Sequence, residues 1–310
     1  MKTSLLLMCL LSQAVYSKSN ITFDAPKGAD TTVHFAVIGD LTGGERAGVY
    51  ENAVDAISLL KPEFILSIGD LIEGGTEDLP TMNSQWDSFT TITAKSELPF
   101  YPVVGNHDIS NIQMRQWWES NIGPRYYHFR YKEMLFLMLD SEDFTAHRFS
   151  EIKTLRNEAV ELYKSRGKEA FLNTEYASLN ERKYGRISPQ QLDYFLKVLS
   201  DNEDASWVFV LMHKPLWSDD SSGFSLLEPA LSQFDYTVLN GHEHTYYYEE
   251  KHGRDHIQLG TTGGDFTPAD RGVHMDHILW VSFADKEPSF INIRLDGLVD
   301  KYGEDIYQQK

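Results

Sequence analysis

The chain has 310 residues, 41% of them apolar and 13% aromatic, which is enough to bury a large core and excludes the disordered and collagen-like classes. With 46 acidic against 28 basic residues the formal net charge is −18, so the surface repels nucleic acid and anionic membranes unless a local cation intervenes. A solvated acidic face that keeps the protein soluble accounts for most of this charge.

The N-terminus, "MKTSLLLMCLLSQAVYSKSN", places Lys2 before an apolar run from Leu5 to Leu11 and small residues near Ser17. This pattern predicts a signal peptide over residues 1–17, cleaved after Ser17, and a secreted or periplasmic protein. A membrane anchor needs about 20 apolar residues, so no membrane insertion is expected once the leader is removed. A lipid anchor on Cys9 is disfavoured by the bulky Met8 beside it. Cys9 is the only cysteine; its loss with the leader removes disulfides, a thiol nucleophile and thiolate metal ligation from the mature chain.

Beyond the leader, short runs rich in Val, Ile, Leu and Phe end in polar or glycine-bearing corners: "VHFAVIGD", "PEFILSIGD", "PFYPVVGNHD", "MLFLMLDS", "WVFVLMHKP", "YTVLNGHEH" and "HIQLGTTGG". They read as buried strands. Between the first two, Val49, Ala53, Ile57 and Leu60 recur at helical spacing until Pro62, which implies a right-handed strand–helix–strand crossover. A polar, helix-prone stretch at about 141–186 reads as an insertion or lid within one domain spanning 18–310. In "ISPQQLDYFLKVLS", Ser188 caps a helix, Pro189 occupies its first turn and Gln191 completes a capping box. The last strands, "HILWVSFAD" and "FINIRLDG", alternate and are expected to form a hairpin-like edge of a second sheet.

Five strand ends carry metal-ligand side chains: Asp40; Asp70; Asn106 with His107 and Asp108; His213; and His242 with His244. In an open α/β sheet such ends converge on one crevice. Any one of these residues alone reads as a cap or a core hydrogen-bonding group, but together they form a ligand set. Carboxylate, carboxamide and imidazole suit Mn, Fe or Zn better than Ca.

The series "GD" at Gly39–Asp40, "GDL" at Gly69–Leu71, "GNHD" at Gly105–Asp108, His213 in "MHKP" and "GHEH" at Gly241–His244 resembles the calcineurin-like metallophosphoesterase superfamily. "GNHD" followed by "GHEH" is the specific part of the match; a lone "GD" means little. The resemblance implies a four-layer αββα sandwich of two mixed sheets flanked by helices. It also implies two divalent or trivalent metal ions, with Asp70 bridging them, Asp40 and His244 on the first, and Asn106, His213 and His242 on the second. A hydroxide held between the ions would attack a small soluble phosphomonoester or phosphodiester. His107 would act beside the leaving group, with Asp108 orienting its ring. The alternative is a non-catalytic or single-metal protein that binds a phosphorylated ligand on the same fold.

One departure falls in "GDLTGG". Most of the superfamily has Asp-x-His, where this chain has Asp40, Leu41 and Thr42. Purple acid phosphatases, which also lack that His, carry a Tyr three residues after the bridging Asp, where this chain has Glu73. Thr42 is expected to serve as a turn hydroxyl, and Glu73 as a solvated loop residue or a substitute ligand. "GTTGGDF" at Gly260–Phe266 is expected to wall the crevice, and Arg46, Lys214 and Arg271 are candidate substrate cations that also read as surface or packing charges. His34, His128, His147, His252, His256, His274 and His277 lie outside the motifs and are expected to be structural or surface residues.

Overall fold

The computed structural model describes residues 21–24, 32–266, 271–295 and 297–302. The expected leader, residues 1–17, lies outside the described residues. No helix among the described residues is long and apolar enough to cross a membrane.

The chain runs β1 (Val33–Ile38), α1 (Val49–Leu60), β2 (Phe64–Ser67), α2 (Leu79–Thr93), β3 (Phe100–Tyr101) and α3 (Ile112–Asn121). It continues through β4 (Tyr127–Tyr131), β5 (Met134–Met138), α4 (Ala146–Arg166), α5 (Lys168–Leu172), α6 (Glu175–Ser178), α7 (Asn180–Tyr184), α8 (Pro189–Asp201) and β6 (Trp207–Leu211). The remainder comprises α9 (Glu228–Leu231), β7 (Tyr236–Asn240), β8 (Tyr247–Lys251), β9 (Arg254–Gln258), β10 (His277–Ala284), β11 (Glu287–Arg294) and β12 (Gly297–Asp300). The strands form two six-stranded mixed sheets, ordered β12-β11-β10-β1-β2-β3 and β4-β5-β6-β7-β9-β8.

The two-residue repeat of each central strand builds the layers. In β1, Phe35 and Val37 face the second sheet, while Ala36 and Ile38 face the outer helices α1 to α3. In β5, Met134, Phe136 and Met138 face the first sheet, while Leu135 and Leu137 pack outward with Phe195, Val198 and Leu199 of α8. Between the sheets Phe35 meets Phe136 and Phe209 edge-on, with ring centroids 5.4 and 5.2 Å apart, an arrangement that adds roughly 0.5–1.5 kcal/mol per pair to burial itself. The four-layer αββα sandwich is therefore the observed fold.

Two local expectations change. The last strands do form a hairpin, β10 with β11, but β10 also pairs antiparallel along all of β1, from Val33↔Phe283 to Ile38↔Ile278. They therefore extend the first sheet, because β2 covers only one side of β1 and leaves its other hydrogen-bonding edge for β10. In α8, Ser188 Oγ accepts the Gln191 N–H as expected, but the Gln191 side chain turns away from the capping box. It accepts from Asp140 N and donates to Asp140 O and Asp143, so it pins the start of the helical stretch that leads to α4.

Candidate metal centre

The first sheet delivers Asp40, Asp70 and Asn106–Asp108 from beyond β1, β2 and β3, and the second delivers His213, His242 and His244 from beyond β6 and β7. The parallel strands β1, β2 and β3 end on the same side, as do β6 and β7. Close approach needs bare backbone at two points: a Cβ on Gly105 would lie 2.2 Å from Asp70 Oδ1, and one on Gly241 would lie 2.2 Å from Asp40 Oδ1. Asp70, His242 and His244 themselves sit in the left-handed region, at φ of 54°, 75° and 54°. Non-glycine residues hold that conformation only where the surrounding structure imposes it, a pattern that concentrates at functional sites.

Asp70, His213 and His242 each offer a ligand atom within 4.8 Å of the others. Asp70 Oδ2 is 3.2 Å from His213 Nε2, Asn106 Oδ1 is 3.2 Å from the same nitrogen, and His242 Nδ1 is 3.3 Å from it. In a second group, Asp40 Oδ2 lies 3.2 Å from His244 Nε2. The six expected ligand residues thus lie in two groups, Asp70 with Asn106, His213 and His242, and Asp40 with His244.

Each ligand imidazole is tied through its other nitrogen to a backbone carbonyl. His213 Nδ1 donates to Ile68 O at 2.9 Å, His242 Nε2 to Arg182 O at 3.0 Å, and His244 Nδ1 to Asp265 O. Such outer partners fix the tautomer and aim the remaining lone pair inward. No sequence signal marks these three acceptors, because every residue has a carbonyl.

Burial opposes a charge on His213, but Asp70 and Asp40 outweigh it and carry its pKa up to about 9. Burial likewise opposes charge on His244, and Asp40 holds that ring up to about 9. Burial alone would raise Asp70; His213 and His107 instead hold its carboxyl below the usual carboxylate range. His242 is pushed well below the ordinary value by burial and by the charge on His213. The carboxylates thus hold positive charge at the imidazoles, the place where metal cations would substitute for protons. By donor chemistry and by these fixed tautomers, the residues fit a pair of cations.

The departures resolve by contact. Thr42 is buried and its hydroxyl bonds to Ile72 O at 2.9 Å and Asp70 O at 3.2 Å, so it serves as a turn group. Glu73 Oε1 receives the Gly44 and Glu45 amides, each at 2.8 Å, and fastens the "TGGE" loop. A Cβ on Gly43 in that loop would lie 2.8 Å from the His244 ring and 3.8 Å from His107 Nε2. The backbone at Gly43 therefore comes up against the group formed by Asp40 and His244.

His107 donates Nδ1–H to Glu73 O at 2.7 Å, which leaves Nε2 as its outward atom. The ring's Nδ1 partner is thus Glu73 O and not Asp108. The Asp108 oxygens accept the amides of Asp70, Leu71, Ile72 and Gly105 at 2.7–3.2 Å. Burial and the neighbouring Asp70 raise its pKa, while the amides that point at it favour its ionised form. Its place is that of a clamp on the loop carrying Asp70, and the expected ring-orienting role falls to the Glu73 carbonyl.

The candidate cations are engaged elsewhere. Arg46 bonds Asp276 and Gly264 O and lies over the Phe266 ring, Lys214 is buried against Glu142, and Arg271 lies over Tyr247. "GTTGGDF" walls the site: the Thr262 and Gly264 amides go to Asp40 O and the Asp265 carbonyl goes to His244. Its backbone donors at Thr262 and Gly264 are consumed within the protein.

Residues 33–246 match the family model for calcineurin-like phosphoesterases. The chain is similar to a manganese-dependent ADP-ribose/CDP-alcohol diphosphatase from Xenopus tropicalis, 26% identical over 212 residues covering 59% of this chain and 61% of that protein. It spans only about three-fifths of that relative's length. Among solved structures, its fold is similar to a dimetal phosphatase from Danio rerio, with a TM-score of 0.56, 14% identity and coverage of 86% and 96% of the two chains. It is also similar to a purple acid phosphatase from yellow lupin (Lupinus luteus) seeds, with a TM-score of 0.58, 13% identity and coverage of 93% and 56%. With the family's motifs gathered into one centre, the chain belongs to the calcineurin-like phosphoesterases.

Proposed function

We propose that this protein hydrolyses small soluble phosphoesters, nucleoside diphosphate-linked esters first among them, at a centre whose Asp70 and neighbouring side chains would hold two metal ions. The observation that carries the reading is the pairing itself: Asp70 meets His213, Asp40 meets His244, and each of the three imidazoles is bonded through its other nitrogen to a backbone carbonyl. Bound cations would supply a nucleophile from water near neutral pH and neutralise the phosphoryl oxygens. Asp40 and His244 would hold the first ion, and Asn106, His213 and His242 the second. His107, with Nδ1–H committed to Glu73 O, turns Nε2 outward, and from the imidazolium form that nitrogen would give its proton to the departing alkoxide or phosphate and leave the neutral Nδ1–H ring. Asp108 keeps Asp70 in place through its backbone.

The choice of diphosphate esters rests on the ADP-ribose/CDP-alcohol diphosphatase similarity. The acidic surface supports small substrates over nucleic acid. The leader-like residues 1–17 support export, which cell fractionation of the full-length chain would test. The decisive test is turnover of ADP-ribose, CDP-alcohols, nucleoside monophosphates and nitrophenyl esters by metal-free protein reloaded with Mn, Fe or Zn. Turnover of the diphosphates with one of these ions supports the reading; failure on every ester with every ion overturns it.

A further inference from the structure

We propose that the short helix α7 is a latch on the metal centre, held by Lys214 so that the Arg182 carbonyl fixes His242, and that closure of this latch and cation binding reinforce each other. The inference rests on the reading of Asp70, His213 and His242 as a cation site.

Helix α7 has only five residues and none of them is fully buried, and Arg182 lies 5.6 Å from the Phe171 and Tyr176 ring centroids. The helix also supplies the carbonyl that takes the His242 Nε2 proton at 3.0 Å, 60 residues away in sequence. Its remaining anchors are polar. Lys214, the residue after His213, donates Nζ–H to Glu181 O at 3.1 Å and pairs with Glu142. Lys214 and Glu142 are 4% and 5% exposed. Glu142 lies at the start of the helical stretch and bridges to Arg186 at its end. Arg148 of α4 adds a bond to Glu181 at 2.8 Å.

A single buried ammonium therefore joins a metal-ligand strand end to both ends of the helical stretch. The consequence follows from what the carbonyl does. With Nε2–H held by Arg182 O, the His242 lone pair is on Nδ1, 3.3 Å from His213 Nε2 and inside the ligand group. If α7 lifts away, the ring is free to rotate and to change tautomer, and outer-shell losses of this kind weaken metal binding by about 10–100-fold. Linkage then requires the reverse: whatever factor the closed latch adds to metal affinity, bound metal adds to latch closure.

The test uses the full chain stripped of metal. Lys214→Met combined with Glu142→Gln removes the ion pair without leaving a lone buried charge. Arg148→Ala is a milder second variant at a partly exposed position that weakens the same latch. Mn²⁺ affinity is measured by calorimetry, Co²⁺ absorption reports ligand geometry, and hydrogen exchange follows amides 180–185 with and without Mn²⁺. The expected result is about tenfold weaker Mn²⁺ binding in the double variant, a smaller shift in the same direction for Arg148→Ala, an altered Co²⁺ spectrum, and exchange at 180–185 that Mn²⁺ slows in the wild type and leaves unchanged in the double variant. A double variant that melts earlier yet binds Mn²⁺ like the wild type would reduce Lys214 to a structural role and overturn the proposal, as would wild-type exchange at 180–185 that ignores Mn²⁺. Should the double variant fail to fold, wild-type exchange and Arg148→Ala decide alone. Absence of any Mn²⁺ or Co²⁺ binding to the wild type would instead overturn the cation-site reading beneath it.

Discussion

Asp70 and His213 meet at 3.2 Å through Oδ2 and Nε2, while Asp70 Oδ1 accepts the His107 amide at 2.8 Å. One carboxylate thus touches a ligand imidazole and the backbone of the candidate acid. Asp70→Asn removes the charge that would hold two cations together at short range. Metal content by mass spectrometry should drop and turnover should nearly vanish. Wild-type metal content and activity in this variant would mean that Asp70 bridges nothing.

His107→Ala should leave metal content intact and lower turnover by roughly 10²–10⁴-fold. The loss should shrink for esters with good leaving groups, since a nitrophenolate needs little help from a proton. A Brønsted series over leaving-group pKa checks this; equal losses across the series would make His107 structural.

Glu73 and Asp40 offer a paired comparison. Glu73 Oε1 is committed to the Gly44 and Glu45 amides, whereas Asp40 Oδ2 faces His244 Nε2. In calorimetric titrations, Asp40→Asn should weaken one of two Mn²⁺ events and Glu73→Gln should leave both within about twofold, because an amide oxygen still accepts from the loop. A selective loss of one event in Glu73→Gln would make that carboxylate a ligand.

Asp108 collects four backbone amides, so Asp108→Ala would strand buried donors at a cost of about 1–3 kcal/mol each. Asp108→Asn keeps one acceptor oxygen and should unfold at lower urea concentration while its leaving-group dependence stays that of the wild type. A leaving-group dependence shifted like that of His107→Ala would restore the ring-orienting role to Asp108.

Burial pushes the His277 imidazole down to about 4, and the fold uses the ring neutral: Nε2 accepts Gly260 N–H at 2.9 Å and Nδ1 donates to Asn292. An unfolded chain takes up this proton near pH 6.5. The unfolded state therefore binds more protons between these values, so the contribution is whole above about pH 6.5 and is lost as pH falls toward 4, about 3 kcal/mol in all. His277→Gln retains an acceptor for Gly260, and urea unfolding of the metal-free variant should lose stability less steeply over that window. Identical pH slopes in the two proteins would show that the folded ring titrates normally.

The cluster of candidate ligands was legible because strand ends in this architecture must carry whatever they bring to the crevice, and "GNHD" and "GHEH" are unusual enough to read unaided. The buried strands were legible from apolar runs. Strands β4, β8 and β12 were not, because "YHFRY", "YYEEK" and "GLVD" mix polar with apolar residues and owe their pairing to a neighbour already in place. The placing of β10 was hidden for a related reason: alternation shows that a strand has two unlike faces and says nothing of which edge it joins. Glu73 and Asp108 were misjudged or left open because a carboxylate that serves backbone amides has the same sequence as one that serves a metal or a ring. The carbonyls of Ile68, Arg182 and Asp265 had no signal at all.

The pairing of β10 with β1 also sets when the centre can exist. Val33 aligns with Phe283 and Ile38 with Ile278, so the strand that aims Asp40 lacks one flank until β10 has been made. Contacts of such long sequence separation form late and slowly. A growing chain that has emerged only as far as residue 246, where the family match ends, already carries every ligand yet exposes an open apolar edge on β1, a template for wrong pairing. Any cation binding by these residues would accordingly wait for β10, and a polypeptide cut back to residues 33–246 is expected to aggregate, which light scattering against the full chain would check.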